Sequence, residues 1–145
     1  MKLSAIYQIF LDCQSVTTDS RNCPDGSLFI ALKGESFNGN AFAKLALDSG
    51  CAFAIIDEIQ YAVEDDQRYI LVDDCLQTMQ QLANYHRRQL GTRVIGITGT
   101  NGKTTTKELI SSVLCQAHNV LYTLGNLNNH IGVPTTLLRL KPEHD

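Results

Sequence analysis

A chain of 145 residues buries about two-thirds of the surface its unfolded form exposes, so it can build a core without disulfide or metal staples. A formal charge of −3 and a pI near 5.7 leave no basic stripe to displace counterions, which excludes a general nucleic-acid binder but not a local anion site. The five cysteines are widely spaced, odd in number and without a Cys-x-x-Cys pair, so reduced thiols are expected rather than a disulfide framework or zinc site.

Residues 1–11 lack the pattern of a signal peptide, and no run reaches the roughly 18 apolar residues needed to span a bilayer. A cytoplasmic, monomeric protein without stable membrane association is expected. Leu3, Ile6, Ile9 and Phe10 recur at helical spacing beside Ser4, which predicts a short helix over 4–11. Residues 15–21 are small, polar and β-branched, and Pro24-Asp25-Gly26 is a turn signal ahead of Ser27-Leu28-Phe29-Ile30-Ala31-Leu32, so strand, turn and strand follow. A polar loop over 33–40 leads to a helix at about 41–49 with Phe42, Leu45 and Ala46 expected to face inward.

Gly50 ends that helix, and the apolar run Ala52-Phe53-Ala54-Ile55-Ile56 reads as a strand buried on both faces. Tyr69-Ile70-Leu71-Val72 is another, reached through the acidic connection Glu64-Asp65-Asp66-Gln67, which reads as a solvated loop rather than a metal site. From Asp74 onward, Leu76, Met79, Ala83 and Leu90 share one side of a helix that ends at Gly91, with His86, Arg87 and Arg88 in or near its last turn, as the helix dipole favours. Gly91-Thr92 is the expected domain joint, giving domains at 1–91 and 92–145.

The second domain opens on Val94-Ile95-Gly96-Ile97, read as a strand of a parallel sheet. There follow Thr98-Gly99-Thr100-Asn101-Gly102-Lys103-Thr104-Thr105 and a helix carrying Leu109, Ile110, Val113, Leu114 and Ala117. A loop feeding a helix N-terminus attracts an anion through unpaired N–H groups and the dipole. Gly99 and Gly102 let the backbone curl around phosphates, Lys103 can reach the terminal ones, and Thr104 or Thr105 can ligate magnesium. The usual loop has a glycine where Ile97 stands, so the match is to a shorter form, Gly-x-x-Gly-Lys-Thr, and the alternative is a glycine-rich strand-to-helix turn with an incidental lysine.

Asn119-Val120-Leu121-Tyr122-Thr123 reads as the next strand, completing a right-handed βαβ crossover. Beyond it, residues 125–132 hold Asn126, Asn128 and Asn129 and no acidic or lysine side chain. Asparagine offers both donor and acceptor, which suits sugar hydroxyls, amides or phosphate oxygens at the ligand-binding edge of a parallel sheet. A turn with a helix cap is the plainer reading of the same residues. The fold class is therefore α/β: a small mixed α/β N-terminal domain followed by the opening of a P-loop NTPase-like parallel-sheet domain.

Three stretches taken together resemble the Mur ligases of peptidoglycan synthesis. They are Thr18-Asp19-Ser20-Arg21 with the segment from Pro24 to Gly34, then Gly99-Thr100-Asn101-Gly102-Lys103-Thr104-Thr105, then the segment from Gly125 to Pro134. The phosphate loop alone is shared with folylpolyglutamate synthases; the other two stretches separate them. The last stretch most resembles the member that joins D-alanyl-D-alanine to the UDP-N-acetylmuramoyl tripeptide.

The resemblance implies an ATP- and magnesium-dependent ligase working through an acyl phosphate. It assigns Ser20, Arg21, Asn38, Gly39 and Asn40 to the UDP-sugar end of the substrate, residues 99–105 to the nucleotide, and the asparagine loop to a place near both. Lys103 and Thr104 become catalytic, the latter as a magnesium ligand. The family often has aspartate, glycine and histidine where Asn38, Gly39 and Asn40 stand, so this chain departs there. The family's further magnesium ligand, modified lysine, remaining sheet and C-terminal domain have no counterpart in 1–145. The resemblance thus implies a chain that alone lacks ligase activity and binds ATP weakly, while its first domain folds independently. Rival readings are a non-enzymatic nucleotide-sugar-binding module, another Mur or folylpolyglutamate-type ligase, and a regulatory P-loop switch.

Overall fold

A computed structural model describes all 145 residues, which separate into two compact units, Met1–Leu82 and Ala83–Asp145. In the first, helix α1 (Leu3–Asp12) precedes a four-stranded sheet of β1 (Val16–Thr17), β2 (Leu28–Ile30), β3 (Phe53–Ile56) and β4 (Tyr69–Leu71). The strands lie in chain order and every pairing is parallel, with Val16 opposite Leu28, Phe29 opposite Ala54 and Ile55 opposite Ile70. The two runs flanking the Pro24-Asp25-Gly26 turn are therefore parallel neighbours.

The central strands explain the apolar runs of the sequence. Leu28, Phe29, Ile30, Ala54, Ile55 and Ile56 are all buried, as strands covered on both faces require. Ile6, Tyr7 and Phe10 of α1, Ala46 and Leu47 of α2 (Ala43–Asp48), and Cys75, Met79 and Leu82 of α3 (Cys75–Leu90) pack into the same core. Each large side chain so covered contributes about 1.5–3 kcal/mol. Asp74 caps α3, its Oδ1 accepting from the Gln77 N–H at 2.7 Å.

The expected helix over 41–49 is split. A 3-10 turn over Gly39–Phe42 precedes α2 and shifts its phase, so Ala43, Ala46 and Leu47 face inward while Phe42 and Leu45 are exposed, contrary to the sequence expectation for those two.

The second unit contains the end of α3, then α4 (Lys103–Leu114) and α5 (Gly132–Leu137). The strands expected at 94–97 and 119–123 are not formed, nor is the βαβ crossover. A strand exists through its ladder, and neither segment has a pairing partner within the chain. Val94, Ile95, Leu109 and Val113 are accordingly exposed. No helix is long and apolar enough to cross a membrane.

Candidate functional site

Because all four strands of the first unit run the same way, the segments that follow them emerge at one edge of the sheet, the carboxyl edge where parallel sheets bind ligands. Ser20 and Arg21 follow β1; Asn38, Gly39 and Asn40 follow β2; Asp57 and Glu58 follow β3.

Arg21 is highly exposed and aimed by a fork. Its Nε and Nη2 donate to the two Asp19 carboxylate oxygens, each at 2.9 Å, and its backbone N–H donates to Asp19 Oδ1. Those hydrogen bonds hold the Asp19 carboxyl down at about 2. The guanidinium is thus presented to solvent in a set direction beside the half-buried Ser20.

The 33–40 loop is fastened from beneath. Asn40 is buried, its Nδ2 donating to Asn38 Oδ1 at 2.9 Å and to Asp57 Oδ1 at 2.8 Å. Asp57 returns a backbone N–H to Asn40 Oδ1, and its other carboxylate oxygen accepts from the Cys75 N–H. Lys33 reaches Asp57 at 3.1 Å and Glu58 at 3.4 Å, and Asn38 Nδ2 donates to Glu58. Gly39 is required by close approach: a Cβ there would lie 2.4 Å from the Leu32 carbonyl oxygen. Asn40 and Gly39 therefore shape the loop from its buried side, while Asn38 is half-exposed at its face. Asp57 was not singled out by the sequence; a lone aspartate after an apolar strand carries no distinguishing signal.

In the second unit Gly99 has φ +149° and Gly102, the residue capping α4, has φ +79°, backbone states that favour glycine. The first intrahelical bond of α4 runs from the Thr106 N–H to the Gly102 carbonyl, so the N–H groups of Lys103, Thr104 and Thr105 lie ahead of the helix ladder. Thr100, Asn101, Thr104 and Thr105 are exposed. The Lys103 ammonium bonds the carbonyls of Gly99 and Thr100, which places its charge at the loop. First-turn N–H groups and a lysine ammonium are thus gathered at one helix terminus, the arrangement that suits an anion.

The chain has no group of three or more His, Cys, Asp or Glu side chains able to hold a metal ion. Magnesium bound mainly through phosphate oxygens and water needs few protein ligands, and the exposed Thr104 hydroxyl beside the loop is an oxygen of the kind it accepts.

The asparagine loop divides by role. Asn129 Oδ1 accepts the N–H groups of Ile131 at 3.1 Å and Gly132 at 2.7 Å, so it caps α5. Asn126 and Asn128 are exposed and, with Lys103 and Thr104, line a cavity of about 560 Å³ whose apolar wall includes Ile110 and Leu121.

Comparison with known proteins gives this geometry a family. The family description "Mur ligase family, catalytic domain" matches residues 12–87, and "Mur ligase middle domain" matches residues 97–145. The UDP-N-acetylmuramoyl-tripeptide--D-alanyl-D-alanine ligase of Bacillus subtilis is 47% identical over 129 residues, 89% of this chain and 28% of that protein. Its counterpart in Escherichia coli is 44% identical over 131 residues, 90% of this chain and 28% of that protein.

Among solved structures, a MurF from Acinetobacter baumannii superposes with a TM-score of 0.85 at 34% identity, over 99% of this chain and 33% of that one. The MurF ligase of Thermotoga maritima, solved in complex with ADP, gives 0.80 at 31% identity, over 93% of this chain and 31% of that one. The chain thus spans about a third or less of the length of these relatives. Matched by the two descriptions over residues 12–87 and 97–145, the chain belongs to the Mur ligase family.

Proposed function

We propose that these residues form the substrate-anchoring and nucleotide-cradling part of an ATP-dependent ligase that joins D-alanyl-D-alanine to a UDP-N-acetylmuramoyl tripeptide. The observation that carries the reading is the start of α4, where first-turn N–H groups, two glycines of suitable backbone conformation and Lys103 converge. The names of the relatives supply the ligase reaction, and a structural neighbour solved in complex with ADP supports an adenine nucleotide as ligand.

In this proposal the γ-phosphoryl group of ATP passes to the terminal carboxylate of the tripeptide, with ADP leaving. The amine of D-alanyl-D-alanine then attacks the acyl phosphate, forming the amide and releasing inorganic phosphate. Little covalent chemistry falls to the protein, so positioning and charge neutralisation account for most of the rate. Lys103 balances charge on the β- and γ-phosphates, and the loop amides at Gly102 to Thr105 receive phosphate oxygens as charge migrates. Thr104 would hold magnesium, which would supply positive charge against the phosphates. Arg21 and Ser20, with Asn38 at the face of the loop held by Gly39 and Asn40, receive the UDP-sugar end. Asn126 and Asn128 contact substrate or nucleotide, and Asn129 sets their loop by capping α5.

The 145-residue chain itself is assigned the role of a binding fragment without turnover. The unpaired segments 94–97 and 119–123 favour this, because a nucleotide-binding sheet that lacks its ladders cannot hold the loop at full precision. Calorimetric titration of ATP-magnesium and of the UDP-sugar tripeptide, separately, into this chain tests the assignment. The expected outcome is binding of the UDP-sugar peptide, weak ATP binding and no amide formation with D-alanyl-D-alanine. Amide formation by this chain would overturn the fragment assignment, and absence of UDP-sugar affinity would overturn the role given to Ser20, Arg21 and Asn38.

A further inference from the structure

Lys107 lies one helical turn after Lys103 and so on the same face of α4, yet its environment differs. Its side chain is only 14% exposed. The ammonium donates to the Thr123 carbonyl at 2.6 Å and lies 3.4 Å from the Gly125 carbonyl, 2.7 Å from Glu108 Oε1 and 5.6 Å from the Tyr122 ring centroid. An ammonium has three N–H donors, and these three oxygens engage them. Lys107 is therefore committed to the protein where Lys103 is turned to the phosphate loop.

The two carbonyls flank Leu124, directly ahead of Asn126. The Lys107 ammonium is thus bonded on both sides of the point from which the asparagine loop departs. We propose that Lys107 is a positioning residue: it ties the start of the asparagine loop to the phosphate-loop helix and so sets where Asn126 and Asn128 stand relative to Lys103 and Thr104. All five of these side chains border the same cavity. The tie is charge-assisted, short at Thr123 and shielded from solvent, which makes it directional where a solvated lysine would not be. The inference rests on the reading of the phosphate and asparagine loops as parts of one ligase site.

The test uses this sequence carried in a chain of the full length of its relatives, with Lys107→Met, Lys107→Arg and Lys103→Ala assayed side by side. Lys107→Met is expected to lower kcat by about a hundredfold, the scale set by misplacing a group by an ångström, with the KM for ATP unchanged. Lys107→Arg, which keeps a charged donor near both carbonyls, restores part of that loss. Hydrogen exchange should quicken at the amides of 124–128 in Lys107→Met and stay unchanged at 103–106. If Lys107→Met does not fold, Lys107→Gln carries the same readouts.

A rise in the KM for ATP matching the fall in kcat, or faster exchange at 103–106, would mean general damage to α4 and overturn the positioning role. Wild-type kinetics in Lys107→Met alongside a crippled Lys103→Ala would also overturn it while leaving the ligase reading intact. An unaffected Lys103→Ala would instead bring down the ligase reading on which the inference stands.

Discussion

Asn40 and Asp57 hold each other by two hydrogen bonds, Asn40 Nδ2 to Asp57 Oδ1 at 2.8 Å and the Asp57 backbone N–H to Asn40 Oδ1 at 3.0 Å. The pair joins the loop after β2 to the end of β3 and, through the Cys75 N–H on the second Asp57 oxygen, to the start of α3. Burial alone would raise the Asp57 pKa. The hydrogen bonds from Asn40, Lys33 and Cys75 and the charge of Lys33 outweigh it and hold the carboxyl below its usual range.

Asn40→Ala removes the partner of a buried carboxylate and should destabilise the first unit by about 1–3 kcal/mol, read from urea unfolding. The sign of the pH dependence follows from the depressed pKa. Asp57 contributes stability above the ordinary carboxylate value near 4, and that contribution is lost as pH falls through its lower folded value. In Asn40→Ala the folded value moves up toward the ordinary one, so the contribution should be smaller and its loss complete at a higher pH; an unchanged acid limb would show that Asn40 does not support the Asp57 charge.

The Asp19–Arg21 fork lies at the surface, with Asp19 half-buried, and predicts a titration rather than a large stability effect. Carboxyl NMR should place the Asp19 midpoint near 2, and Arg21→Gln should move it up toward the ordinary range. Above that midpoint the guanidinium stays aimed, so the UDP-sugar binding proposed for Arg21 should not change with its charge between about pH 5 and 8. An Asp19 midpoint that ignores Arg21→Gln would show the fork to be absent in solution.

Gly39→Ala drives a Cβ into the Leu32 carbonyl at 2.4 Å, and backbone has to move to admit it. The expected cost is about 1–3 kcal/mol with weakened UDP-sugar affinity, because the displaced loop carries Asn38. Unchanged thermal unfolding together with unchanged affinity would contradict the packing described for this loop.

Thiol chemistry separates the cysteines. Burial pushes Cys75 up to about 12 and Cys13 and Cys23 up to about 11, so all three are protonated and slow at neutral pH. Cys115 is exposed on the solvent side of the end of α4. A disulfide reagent at neutral pH should modify Cys115 first, and Cys115→Ser should abolish the fast phase.

Much of the first unit was legible because its signals are local. Leu28 to Ile30 and Ala54 to Ile56 are unbroken apolar runs, and each became a strand covered on both faces. Leu45 shows the limit: its helical phase depends on a 3-10 turn that begins at Gly39, which spacing alone does not reveal. Val94 and Val120 show another, since a strand-like segment becomes a strand only where a partner supplies the ladder. At the candidate site, Gly102 and Lys103 are visible in the sequence because their motif is a local one. Asp57 and Lys107 are not, because what distinguishes them is contacts to residues distant in sequence.

The most direct test is turnover of Lys103→Ala in a chain of the full length of its relatives. Removing a preorganised group that meets developing charge elsewhere costs about a hundred- to a thousandfold in rate, and a loss of at least that order is predicted here. Near wild-type turnover in Lys103→Ala would contradict the claim that the loop at the start of α4 is the phosphate site of a ligase.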